Sequence, residues 1–420
     1  MSVKELDLGG VDLASHDTFA AGVPDEFFAR MRREAPVFWH PEPSPNHGFW
    51  AVTKWKDLVA VHRDPKTFSS EKGHVGLEEL QPDELEVRRS MLETDPPNHS
   101  RLRRLVSPYF TPRAVDEYEG YVREIACDVL DAGLVDGEFD FVERIAAPFP
   151  MNVLMRILGV PTEDGPYLIG LGDKMIAHAD PDYSALVVDR EDTSEYRLLP
   201  FRSPAALELF EYADDLAARR RSDPRDDLVS KLVHAEVDGD RLTARELDNF
   251  FTLLVIAGNE TTRHSLAHTV LAFIEHPEER RRLTDDLSLM PTAVEEVLRW
   301  ASPVFHFRRT AAEDTELNGA EIREGDKVVT WYVSANRDED EFPDPFRFDV
   351  MREPNEHAAF GKYGPHFCLG AFLARLELRV MLEELLPRLE DVELAGPVTR
   401  VRSNFVNGFK RVPVRVRLRS

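Results

Sequence analysis

Residues 360–370 read Phe360-Gly361-Lys362-Tyr363-Gly364-Pro365-His366-Phe367-Cys368-Leu369-Gly370, a glycine-punctuated loop that runs into a helical pattern. Cys368 is one of two cysteines in 420 residues. At a helix N-terminus its sulfur meets the positive end of the macrodipole and unpaired backbone N–H groups, which favour the thiolate over the thiol. An anionic sulfur is what an oxygen-activating haem iron needs, because the electron density it donates favours O–O cleavage. Gly361, Gly364 and Gly370 allow close backbone approach to a flat group, and Pro365 stiffens the segment. A lone loop cysteine is otherwise a small buried hydrophobe, and a zinc site at His366 and Cys368 lacks further ligands nearby. Cys127, in the apolar run from Val122 to Leu130, reads as core.

Upstream lies the longest element. Thr243-Ala244-Arg245-Glu246 forms a capping box, and the helical pattern continues to His276 before Pro277. In its middle, Leu253-Leu254-Val255-Ile256-Ala257 is followed by Gly258-Asn259-Glu260-Thr261-Thr262. A glycine costs about 1 kcal/mol relative to alanine there, and a threonine hydroxyl can bend the ladder, so a break is expected. If this face is buried, Glu260 and Thr261 need a purpose that offsets their desolvation. The alternative is that Gly258 only packs closely and Glu260 faces water.

A haem has two propionates, and cations for them are available from separated regions. His99 and Arg103 are four apart on one face of a basic helix over 99–106, Arg309 follows Phe307-Arg308, and His366 stands two before Cys368. Glu296 and Arg299 sit at i, i+3 on a helix opened by a second capping box, Thr292-Ala293-Val294-Glu295.

Taken together, these segments resemble the cytochrome P-450 superfamily, whose haem signature is Phe-Gly-x-Gly-x-His-x-Cys-x-Gly. The resemblance runs from Asp95 to Gly370 by motif. One departure is an extra residue between Phe360-Gly361 and Gly364. It implies a mainly α fold with a minor β region, the triangular helical haem-thiolate domain with small β-sheets. Cys368 would be the axial ligand of haem b (iron protoporphyrin IX), with His99, Arg103, Arg309 and His366 at the propionates. Thr261 would hydrogen-bond the oxygen under reduction and Glu260 would relay protons. Glu296 and Arg299, with Arg347 of Pro345-Phe346-Arg347-Phe348, would form a buried structural network. Leu253, Ile256, Ala257 and Phe305 would line the distal pocket, and Phe405-Val406 would close one side.

The implied reaction is monooxygenation of a hydrophobic small molecule, a terpenoid, steroid or lipid, with two electrons from a separate ferredoxin and ferredoxin reductase. Arg101, Arg104, Arg113 and Arg375 would form a basic docking patch for the ferredoxin. Asn-Glu-Thr-Thr, Asp-Pro-Pro-x-His and His-Phe-Cys-Leu-Gly look closest to actinobacterial lipid- and steroid-oxidising members. An antibiotic-tailoring hydroxylase and a non-catalytic haem-binding sensor are the alternatives.

Length alone suggests two or three domains, yet no linker divides the chain, so 1–420 reads as one unit with no fused redox module. The net charge of −25 is spread along the chain and argues against a nucleic-acid partner. No apolar run reaches membrane-span length, Met1–Asp7 has no signal region, and two distant cysteines give no disulfide framework. A cytoplasmic location is expected. Elsewhere, helices are expected over 24–34, 113–158 and 205–233, with an irregular, lid-like segment over 179–203. A strand is expected over 49–53, as are strands 315–317 and 327–330 flanking an Asn318-Gly319 turn, and further strands over 398–419.

Overall fold

The computed structural model describes residues 10–44, 46–237 and 239–419. The Met1–Asp7 reading therefore lies outside the described residues. The architecture is mainly helical with four small sheets.

The long helix spans Ala244–Glu275, 32 residues. Its start is closed reciprocally: Glu246 N–H donates to Thr243 Oγ1 (3.2 Å) and Thr243 N–H to Glu246 Oε2 (2.8 Å). At ~1.5 Å per residue the rod is about 48 Å long. It is buried on nearly every face, so tertiary packing rather than an amphipathic stripe stabilises it. The expected break is not there. Thr261 Oγ1 donates to Ala257 O (2.9 Å), and Ser265 and Thr269 repeat the pattern one and two turns on, all alongside an unbroken ladder.

The largest sheet has five strands in the order Val37–His40, Phe49–Val52, Lys327–Trp331, His306–Ala311, Phe68–Ser69. Only the pair Phe49–Val52 and Lys327–Trp331 is parallel. Asn318-Gly319 does make a tight turn, with φ of 49° and 80°. The strand it returns to is Ala320–Ile322, not 327–330, which belongs to the large sheet. The expected helical stretch 113–158 is interrupted by a strand, Gly137–Asp140, paired with Pro413–Leu418. That pairing is far in sequence, so local periodicity does not report it.

The second capping box is not formed. The helix there is Met290–Ala301, and the Thr292 hydroxyl donates to Leu289 O (2.9 Å) and Val350 O (2.8 Å). Glu295 is engaged elsewhere, by Arg375 and His357. Segment 179–203 is irregular as expected, and Arg402 ties it to the rest through Ala179 O (2.6 Å) and Asp189 (2.8 Å). Cys127 is only half-buried and its thiol faces Glu384 (3.4 Å), so it is not a core residue.

Candidate functional site

The cysteine loop is closed by its own backbone. Cys368 N–H donates to Phe360 O (2.8 Å), and Gly361 N–H to Ala358 O (2.8 Å). The extra residue is accommodated by pushing Tyr363 outward in a left-handed conformation, φ 62°. Its ring lies under the Arg63 guanidinium (4.5 Å) and edge-on to Trp55, and its hydroxyl donates to Glu356 (3.0 Å). Gly364 is required by close packing: a Cβ there would stand 2.4 Å from His62 O. Cys368 precedes the helix Ala371–Leu385. Burial pushes its thiol up, against the Gly370 N–H and the guanidinium groups of Arg103 and Arg375. The helix terminus alone does not ionise this sulfur; coordination to a metal would.

Between this loop and the long helix lies a cavity. Cys368, Phe360 and Gly370 line one side, and Leu253, Ala257, Gly258 and Thr261 the other. His99, Arg103, Arg309 and His366 all reach it. Arg309 is buried, and among the described residues its side chain bonds only the Arg308 carbonyl (2.8 Å); Arg103 reaches the Pro365 carbonyl (3.2 Å). A buried and a half-buried guanidinium held by carbonyls, at the wall of a cavity, fit the carboxylates of a haem. Both imidazoles are pushed toward the neutral form. Burial and the nearby guanidinium groups hold His99 at about 4 and His366 at about 2. Their rings are 4.2 Å apart, and His99 Nε2 has no partner among the described residues. The residues present therefore fit a haem, whose iron Cys368 would hold.

Glu260 is buried and does not face water. Arg263 Nη1 donates to Glu260 (3.2 Å) and to Asp173 (2.7 Å) of the helix Gly165–Ile176, and His264 Nε2 lies 3.1 Å from Glu260. Burial opposes both carboxylates, but Arg263 and His264 hold Glu260 low, while burial and the Glu260 charge raise Asp173 to about 7. The two acids share one guanidinium and titrate as a pair, in which Asp173 takes the proton more readily than Glu260.

Several cavity residues were invisible to motif reading, among them His62, Tyr332 and Glu377. Glu377 lies nine residues after Cys368 and accepts one bond, from Thr262 Oγ1 (2.9 Å). Burial raises it to about 8. Its folded value lies above the unfolded one, so the stability it contributes is present below pH ~4.5 and is lost as pH rises toward about 8. Melting of the Glu377→Gln variant is expected to lack that component of alkaline loss, so the gap between variant and parent widens between pH 5 and pH 8.

A second cavity adjoins the first and shares Leu253, Ala257 and Thr261 with it. Ile256, Phe405 and Val406 line it as expected, and Ala179, Pro200 and Phe201 of the irregular segment contribute to its wall. Phe305 does not line it. That ring packs against Phe19 (4.4 Å) in a core cluster with Trp331, while its neighbours Val304, His306 and Phe307 face the cavity.

Below the loop, Glu296 and Arg299 are fully buried and bonded by two N–H···O contacts of 2.7 and 2.8 Å. Arg299 also donates to the carbonyls of Asn336 and Pro345, both at 2.8 Å, and of Arg347 at 3.3 Å. The third side chain on Glu296 is Arg352 (3.1 Å), not Arg347, whose side chain is 59% exposed and contributes only its carbonyl. The expected basic patch is reduced as well: Arg101 pairs with Glu246, and Arg375 is held bidentately by Glu295 (2.6 and 2.8 Å). Arg104 and Arg113 are exposed. Among the described residues no helix is long and apolar enough to cross a membrane.

A family profile described as Cytochrome P450 matches residues 205–404. The chain is 41% identical to the methyl-branched lipid omega-hydroxylase of Mycobacterium tuberculosis, over 98% of this chain and 95% of that protein. It is 36% identical to the steroid C26-monooxygenase of Rhodococcus jostii, over 96% of this chain and 84% of that protein. A Mycobacterium marinum cytochrome P450 solved in complex with pseudoionone has a TM-score of 0.87 and 41% identity, covering 96% of this chain and 98% of the other. Likeness of this degree along nearly the whole chain carries fold and chemistry together, and the chain belongs to the cytochrome P450 family, as a monooxygenase.

Proposed function

We propose that this cytochrome P450 monooxygenase holds haem b through Cys368 and hydroxylates an elongated lipid- or steroid-like molecule. Its electrons come from a separate ferredoxin and reductase in the cytoplasm, and 1–420 acts as one catalytic unit. The observation that carries the reading is the pair of adjoining cavities, one ending at Cys368 and the other mostly apolar, which meet at Leu253, Ala257 and Thr261. The names of the lipid hydroxylase and the steroid monooxygenase point to the same substrate class.

Bound haem would supply the activation of dioxygen, one atom of which enters a C–H bond while the other leaves as water. The chain supplies the setting. Arg103 and Arg309 would neutralise the propionates, and His99 and His366 would donate N–H groups to them. Apolar walls at Leu253, Ile256 and Ala257 would exclude water and leave C–H bonds facing the reacting centre. Thr261 Oγ1, which donates to Ala257 O, keeps lone pairs for a proton donor and can turn to donate itself. Glu260 and Asp173 would pass protons inward from the helix Gly165–Ile176.

The reading is tested by NADH consumption and product analysis with a surrogate ferredoxin and reductase across a panel of lipids and steroids. Substrate-dependent product supports it; a panel that neither shifts the Soret band nor yields product overturns it. The Thr261→Ala variant is expected to keep its haem and bind substrate. Product per NADH falls several-fold or more as positioned proton delivery is lost, and hydrogen peroxide rises to match. Coupled turnover in that variant removes Thr261 from the mechanism.

A further inference from the structure

The second cavity is apolar over most of its wall, but one end is built differently. His16, His74, Glu78, Arg88, His178 and His306 line it, and they lie close enough to influence one another electrostatically. Arg88 ends the helix Pro82–Arg88, and its side chain is 4% exposed. Nη1 donates to Glu78 Oε2 (3.3 Å), whereas Nε and Nη2 have no partner among the described residues. Those two nitrogens form one edge of the planar guanidinium, the edge that grips a carboxylate with two parallel N–H···O bonds.

Neighbouring groups are in the same condition. Both ring nitrogens of His306 and the hydroxyl of Thr252 are buried, line this cavity and lack partners. The acids nearby are already engaged: Glu78 Oε1 faces His178 Nε2 (3.4 Å), and Glu93 faces His74 (3.5 Å) and accepts from Ser90. The two free N–H groups of Arg88 can only donate, His306 and Thr252 can each donate one more hydrogen bond, and what the guanidinium edge lacks is an acceptor.

We propose that this end of the cavity is a head-group subsite for a carboxylate, with Arg88 as the specificity-determining residue. The substrate is then a long apolar acid, anchored by its carboxylate at Arg88 while its far terminus reaches past Leu253 and Ala257 toward Thr261. Glu78 is a positioning residue that fixes the guanidinium and leaves its second edge open. The inference rests on the proposed hydroxylation of a hydrophobic substrate, and adds which end of it faces the reacting centre.

Pristanic acid, its methyl ester and the hydrocarbon pristane share one branched body and differ in the head, so they separate head-group recognition from apolar binding. With the haem-loaded full chain, the acid is expected to bind about ten-fold or more tightly than either neutral probe, as a charge-assisted bidentate pair requires. Its hydroxyl is expected at the methyl end farthest from the carboxylate. In Arg88→Met the advantage of acid over pristane falls to within about two-fold, and Arg88→Lys, which has no fork, keeps part of it. If Arg88→Met takes up no haem, Arg88→Lys decides: a reduced advantage supports the subsite and an undiminished one overturns it. Equal binding of acid and pristane by the parent enzyme, an advantage intact in Arg88→Met, or no binding of any probe overturns it as well. Oxidation of all three without head-group preference sinks the subsite and leaves the hydroxylase; acid-selective binding with no product from any probe does the reverse.

Discussion

Cys368→Ser is expected to abolish oxygenase activity while leaving the fold in place. The loop does not depend on the sulfur for its shape, because the Cys368 N–H bonds to the Phe360 carbonyl and Gly364 packs against the His62 backbone. What changes is the atom offered to the iron. In this buried setting the thiol itself is disfavoured as an anion, so the thiolate would form on coordination, and a serine hydroxyl is a far weaker acid and a poorer donor of electron density. Product formation is expected to fall to about one thousandth of the parent rate or below, a barrier increase of about 4 kcal/mol or more. The reduced carbon monoxide complex loses the red-shifted Soret band of a thiolate haem. An unshifted melting profile beside those losses is the full expected result. Retention of that band in Cys368→Ser would remove Cys368 as the ligand.

What could be read from the chain and what could not divides along sequence distance. The long helix was legible to the residue at its start, because Thr243 and Glu246 carry a local capping signal that the structure uses. The same signal at Thr292 and Glu295 misled, since Glu295 has stronger distant partners in Arg375 and His357. Cys368, His99, Arg103, Arg309 and His366 were found by motif and stand around one cavity. That burial lowers both histidines was not legible, because burial depends on packing that no local pattern records. Phe305 was placed on the wrong side of its backbone: its neighbours face the cavity and it does not. Arg88, His306 and Glu377 carry no motif at all, and their significance appears only when distant segments enclose the cavities. The extra residue in the cysteine loop was visible, but its resolution into a left-handed Tyr363 against Arg63 and Trp55 was not.

The network under the loop gives the other large effect, on stability and haem retention. Arg299 is fully buried, and every one of its bonds is made within the protein: two to Glu296 and three to the carbonyls of Asn336, Pro345 and Arg347. Arg299→Ala removes these donors together and leaves Glu296, itself fully buried, with Arg352, Asn355 and the Asp349 N–H as its remaining partners. Breaking one member of a buried charge network costs about 3–5 kcal/mol, a large share of the 5–15 kcal/mol that typically separates folded from unfolded. The carbonyls released belong to the segment that leads from Asn336 into the cysteine loop, where Asn336 Oδ1 in turn accepts from Ala358 N–H (2.7 Å). The loosening therefore reaches the cysteine loop proposed to hold the haem, and purified Arg299→Ala is expected to have a lower haem-to-protein ratio and a lower melting temperature. Arg299→Lys recovers only part, since an ammonium cannot serve the fork and the carbonyls at once. The contrast with the two other arginines is decisive. Arg352→Ala should follow Arg299→Ala at reduced size, because its side chain is 9% exposed and bonds Glu296. Arg347→Ala, which removes an exposed side chain and keeps the carbonyl, should stay within about 0.5 kcal/mol of the parent. Haem loss in Arg347→Ala equal to that in Arg299→Ala would mean that the side chain at 347, and not the one at 352, completes the network.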